Sequence, residues 1–222
     1  MNWIAAARRH PSALLLAAQL LSLVLFPVMD NSTNGRILFA VVGTVVVSLA
    51  LWVVNRTPAV NKLSWLLAGS AIGLSLASLV FDQPGWVVWS SVFESALYFY
   101  AAGGLIAYMM SDHIVSADEL FAAGATFTLL AWGFAFAFLV CQMLAPGSFA
   151  STGSPELPNR SWIELLFLSF TNLSATGLAD VVPVSSAARV LVMLEQFAGV
   201  AYIAVVVSRL IGLTLGRAHH SG

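Results

Sequence analysis

Long apolar runs recur along the chain, separated by short polar breaks. Ser12 to Met29, Ile37 to Val54 and Leu63 to Phe81 carry no charged residue. Trp86 to Met110 holds one acid, Glu94, and Leu120 to Ala145 holds no charge. Val190 to Leu215 encloses Glu195 and, near its end, Arg209. A bilayer core needs about 20 apolar residues in a helix, so the pattern predicts six spanning helices. The runs are apolar on every face rather than alternating, which argues against a β-barrel. Backbone groups in lipid must be satisfied within the segment, and helices do this.

One apolar run is too short to be a seventh span. Gly147 to Asn159 is rich in Gly, Ser and Pro and reads as a loop. Ser161-Trp-Ile-Glu164 then has the spacing of a capping box, and the apolar run after it predicts a helix to Leu173. At 1.5 Å per residue that helix is about 20 Å long. It enters the membrane from outside and has to return through Ala175 to Pro183 as non-helical backbone. Such backbone is tolerated at membrane depth only when packed in protein or lining a watery cavity. A half-helix with an extended return is how channel filters are built. The other reading of the segment is an amphipathic helix on the outer face, but its apolar run shows no polar stripe.

Composition sharpens the class. Of 222 residues, 59% are hydrophobic and 9% are charged, against about 25% charged in soluble domains. A cytosolic enzyme, a disordered chain and a nucleic-acid binder with a basic face are excluded. One Cys, Cys141, allows no intrachain disulfide and no thiolate metal cluster. The Lys and Arg residues of the loops divide six to three, with Arg8, Arg9, Arg56, Lys62, Arg209 and Arg217 on one side and Arg36, Arg160 and Arg189 on the other. The positive-inside rule then places both termini in the cytoplasm.

The fourth span contains no Lys or Arg, so the first four helices lack the gating charges of a voltage sensor. Glu94 within that span is either a functional intramembrane acid or a structural one bonded to Ser91 or Tyr98. Catalytic motifs such as HExxH, GxSxG and the Walker loop are absent. No enzymatic activity and no cofactor are expected.

The stretch Leu168-Ser-Phe-Thr-Asn-Leu-Ser-Ala-Thr-Gly-Leu-Ala-Asp-Val-Val-Pro183 resembles the pore loop of the potassium channel superfamily. The family pattern is a Ser-Phe pore helix, then Thr-Val-Gly-Tyr-Gly-Asp, then Pro. Arg189, Glu195 and Val205-Val-Val-Ser-Arg-Leu-Ile-Gly212 resemble the inner helix of short bacterial six-span members. Ile114 to Phe121 is similar to the segment entering their fifth helix.

The resemblance implies an all-α membrane protein with six transmembrane helices plus a re-entrant pore helix and filter loop between the last two. Residues 1–111 form a four-helix module. Residues 112–217 form a pore domain, with outer helix 119–145, pore helix 161–173, filter 175–180 and inner helix 186–215. Ala175, Thr176, Gly177, Leu178 and Ala179 become the selectivity filter, with Asp180 behind its outer mouth. The backbone carbonyls of Thr176, Gly177 and Leu178 become ligands for a monovalent cation, K⁺ or Na⁺. Gly199 falls at the inner-helix hinge, and Glu195 and Trp162 support the filter. The implied assembly is a homotetramer in the lipid bilayer of a bacterial inner membrane, conducting cations passively and binding no nucleic acid.

Only Gly177 and Asp180 of the six-residue filter pattern are kept. Ala175 lacks the hydroxyl of the family Thr, Thr176 replaces Val, and Leu178 lacks the phenol of the Tyr. Ala179 stands where a Gly takes left-handed backbone, at about 1–2 kcal/mol for an L-residue. These changes predict a remodelled backbone path through the filter. The alternative is a non-conducting membrane scaffold or partner-binding protein that retains the channel fold.

Overall fold

The computed structural model describes residues 10–30, 43, 46, 48–49, 61–80, 84–111, 116–151, 159–209 and 211–212. In chain order the elements are α1 (Pro11–Asp30), α2 (Asn61–Val80), α3 (Pro84–Met109), α4 (Ala117–Leu144), β1 (Phe149–Ser151), α5 (Trp162–Leu173), β2 (Val181–Pro183) and α6 (Ser186–Tyr202). A π turn, Ile203–Val207, continues α6. By length and composition, three helices among the described residues can cross a membrane: Gly85–Met109, Ala117–Leu144 and Ser186–Val207. The described apolar stretches of α1 and α2, Pro11–Phe26 and Trp65–Ala77, are shorter. Of the six expected spans, three are therefore found at full length. Of the expected span Ile37 to Val54 only residues 43, 46, 48 and 49 are described, all of them helical, and residues 213–215, the end of the expected inner helix, lie outside the described residues, as do His113, His219 and His220.

The chain forms two compact units that share helices. The first comprises Met1–Ala68, Tyr100–Leu129 and Ile203–Gly222. In it α1 lies along the start of α4. Leu16 packs against Gly124, where a Cβ would meet Leu16 Cδ2 at 2.9 Å. Gln19 Nε2 donates to the Ala125 carbonyl at 3.4 Å, and Ser12 Oγ donates to Asp118 at 2.8 Å. The contacts 12/118, 16/124 and 19/125 advance together, so the two helices run parallel.

The second unit comprises Gly69–Phe99 and Leu130–Tyr202. Its core is aromatic. Tyr98 stacks on Phe136 at 5.6 Å and meets Trp132 edge-on at 5.7 Å. Phe99 meets Phe134 edge-on at 4.8 Å, and Phe138 packs on Phe149 at 5.2 Å.

After α4 the chain turns back on itself. Gln142 holds Arg160 by two bonds: its Nε2 donates to the Arg160 carbonyl at 2.9 Å, and its Oε1 accepts from the Arg160 N–H at 2.8 Å. The side-chain amide thus satisfies both backbone groups of one residue, as a paired strand would. The expected loop 147–159 contains a strand, β1, which pairs antiparallel with β2 in the register Phe149↔Pro183, Ala150↔Val182 and Ser151↔Val181. Residues 152–158 lie outside the described set.

Candidate functional site

The segment 161–199 holds the expected site residues other than Glu94. It begins at a helix start that is chemically complete. The Ser161 side chain accepts from the Glu164 N–H at 3.4 Å, and the Glu164 carboxylate accepts from the Ser161 N–H at 2.7 Å. This is the capping box expected from the sequence. Trp162 opens α5 and rests on Phe136 of α4, ring centroids 4.2 Å apart. It sits at the end of α5 away from residues 175–180, so it positions the helix start.

α5 runs back along α4. As the chain advances through 160, 162 and 169, its α4 partners retreat through 142, 136 and 131. Twelve residues of helix cover about 18 Å. The chain then reverses, and by β2 it is paired with β1 beyond the end of α4. The geometry is a half-length helix with a short return alongside a full-length one.

The reversal is a Schellman turn. Thr176 N–H donates to the Thr171 carbonyl at 2.9 Å, and Ala175 N–H donates to the Asn172 carbonyl at 3.0 Å. Gly177 N–H and Thr176 Oγ1 add bonds to the same Thr171 oxygen at 3.1 and 3.2 Å. The motif needs a left-handed residue just past the helix cap. Ala175 supplies it with φ 59°, and Gly177 follows with φ 62°. The family pattern has left-handed backbone at position 179, where the sequence reading expects a remodelled path instead; among the described residues Ala175 is the only non-glycine at positive φ. The cause is the helix cap, which sets its demand at the first residue of the turn. The same turn occupies the Thr171 and Asn172 carbonyls. The helix-end charge that would favour a cation therefore does not come from these two oxygens.

Residues 175–178 are exposed, Leu178 at 76%. Asp180 is exposed and accepts from Ser151 Oγ at 3.3 Å, which joins the end of the return to β1. Ser185 starts α6, its hydroxyl accepting from the Ala188 N–H at 3.2 Å.

Two residues of α6, one helical turn apart, face the end of α5. Glu195 is fully buried and accepts from Ser169 Oγ, which also reaches the Ala131 carbonyl at 2.7 Å. One hydroxyl of α5 thereby joins α4 and α6. Glu195 Oε2 and Asn172 Nδ2 are both buried, and the Asn172 side chain faces the Glu195 carboxyl. Gly199 lies against Leu173, where an added Cβ would stand 2.8 Å from the carbonyl carbon and 2.9 Å from the Cα. A glycine is required here because the neighbour is backbone and cannot yield.

Glu94 stands apart from this cluster. It is half-buried on α3. Beside it on the helix, Ser95 Oγ donates to the Gly133 carbonyl at 2.9 Å, and the Tyr98 ring packs on Trp132 and Phe136. Sequence reasoning missed Ser169 and the Gln142–Arg160 pair. Ser169 had a signal, being a hydroxyl inside an apolar run. Among the described residues no group of three His, Cys, Asp or Glu side chains could hold a metal ion.

Residues 122–214 match a protein-family model described as "Ion channel". The match begins within α4 and takes in α5, the return, β2 and α6. No curated protein and no solved structure matches the chain.

Proposed function

We propose that this chain is the subunit of a potassium-channel-like, homotetrameric cation channel that passes K⁺ or Na⁺ passively across a lipid bilayer. The observation that carries the reading is the half-length α5 with its return through 174–180, inside the region that matches the ion channel family. In this reading α4 is the outer helix, α5 the pore helix and α6 the inner helix. Residues 175–180 form the filter, and the carbonyls of Thr176, Gly177 and Leu178 are the ion ligands.

Other features support it. Leu178 at the return and Met193, Leu194, Phe197 and Val200 on α6 are apolar and exposed in the single chain. Such a surface suits burial between copies. The parallel course of α1 and α4 supports the six-span topology, because spans alternate in direction. Parallel first and penultimate spans need an odd number of crossings between them. α2 and α3 supply two, and the uncharged run Ile37 to Val54 would supply the third. A bacterial inner membrane with both termini cytoplasmic is the matching location.

Purified protein in liposomes should take up ⁸⁶Rb⁺ or ²²Na⁺ along a gradient at a rate well above protein-free vesicles. Gly177→Val, which places a branched side chain at φ 62°, should abolish that uptake while the protein still inserts. Absence of flux for every monovalent cation would overturn the reading in favour of a non-conducting scaffold, a reading that the remodelled turn at Ala175 also fits.

A further inference from the structure

In the first unit, the start of α4 carries two adjacent buried acids, Asp118 and Glu119. Ser116 and Glu119 form a second capping box. Ser116 N–H donates to Glu119 Oε1 at 3.2 Å, and Glu119 N–H donates to Ser116 Oγ at 3.3 Å. That uses one carboxylate oxygen of Glu119. The other, Oε2, lies 3.5 Å from Arg209 Nη1, which follows the π turn. Both side chains are largely buried, at 15% exposure for Arg209 and 4% for Glu119. Asp118 beside it accepts from Ser12 N–H at 3.0 Å and from Ser12 Oγ at 2.8 Å, at the first turn of α1. Tyr108 of α3 reaches Asp118 at 3.5 Å. The first turn of α4 thus engages three other segments through two adjacent acids.

We infer that Glu119 is a positioning residue that sets the facing of the helical residues Ser208 and Arg209 just after the π turn, with Asp118 tying α1 to the same point. A π turn holds one more residue than an α turn. Winding Ile203–Val207 back to α-helix would swing Arg209 by about 100° around the helix axis, away from Glu119. The pair therefore selects the π form. Loss of Glu119 removes the carboxylate that faces the Arg209 guanidinium, and loss of Arg209 leaves the Glu119 charge buried without its ion-pair partner, so the segment is expected to loosen. If α6 is the inner helix of a channel, its end remote from the filter is held by this pair. That functional consequence rests on the reading proposed above, whereas the positioning role does not.

The test is hydrogen exchange of the amides from 203 to 209 in the detergent-solubilised full chain, read by mass spectrometry, with liposome flux measured in parallel. Glu119→Gln and Arg209→Gln should each speed exchange at least tenfold, and the double variant should be no faster than either. Arg209→Lys, which keeps the charge and leaves the Ser116–Glu119 cap intact, should hold exchange within threefold of the parent. Exchange within twofold of the parent in both Gln variants overturns the inference. Exchange in Arg209→Lys as fast as in Arg209→Gln overturns it equally. If the Gln variants do not fold, Arg209→Lys decides, tenfold faster exchange overturning the inference. Faster exchange with no flux even in the parent would leave the positioning role intact and reject permeation. A conducting parent whose flux is unchanged by Glu119→Gln would overturn the link between this pair and the pathway.

Discussion

The two ends of α5 are built by opposite means. Its start is made of side chains, with Ser161 and Glu164 exchanging bonds with each other's backbone. Its end is made of main chain, with the N–H groups of residues 175–177 folded back on Asn172 and Thr171. A start of this kind names its residues in the sequence. An end of this kind requires only a left-handed φ, and here an alanine provides it. The channel reading needs both, because the start places the helix and the end launches the return.

Substitutions can break this comparison, and the largest effect is expected behind the main-chain end. Gly199→Ala forces a methyl onto the backbone of Leu173 and should cost about 3 kcal/mol, at the upper range for overpacking. Chemical unfolding in detergent measures it. Ser169→Ala removes the hydroxyl that joins Ala131 and Glu195, leaving a buried carboxyl short of a partner. It should cost about 2 kcal/mol by the same assay, with Ser169→Thr recovering part of that. Gly177→Ala puts a side chain at φ 62° and should cost about 1–2 kcal/mol. Ala175→Gly should have the opposite sign, stabilising by about 1 kcal/mol, because the strained alanine of the helix cap is replaced. The smallest loss is expected at the side-chain end, where Ser161→Ala removes one capping oxygen for about 1 kcal/mol. If Ala175→Gly destabilises while Ser161→Ala does nothing, the division between the two ends is wrong.

Much of the local structure was readable from residue types. The capping box at Ser161 and the end of α5 at Leu173 stand where the spacing put them. The helix expected over 119–145 runs Ala117–Leu144. These features follow from side chains acting on neighbours a few positions away. What escaped depends on partners distant in sequence or on backbone geometry. A strand of three residues, β1, hides in a Gly- and Ser-rich loop because its partner residues lie far along the chain, Phe149 opposite Pro183 and Ser151 opposite Val181. Gln142 reads as a polar residue at a helix end, and only the fold brings Arg160 to it. The left-handed alanine at 175 was not named from the filter comparison, because a family pattern records which residues are usual and not which φ each one takes. Gly199 was expected as a hinge, and the structure gives it a close backbone neighbour, which constrains its replacement whether or not it bends.

The paired ends of the connection between α4 and α5 have a consequence for chain length. Ser151 is held in the β ribbon and Arg160 is held by the Gln142 amide, so the residues between them leave from and return to fixed anchors. Doubling such an excursion adds only about 0.6 kcal/mol of closure entropy. An epitope or a small soluble domain spliced between 152 and 158 should therefore leave the helices on either side undisturbed, making this stretch a natural place for the molecule to acquire a handle or a new partner.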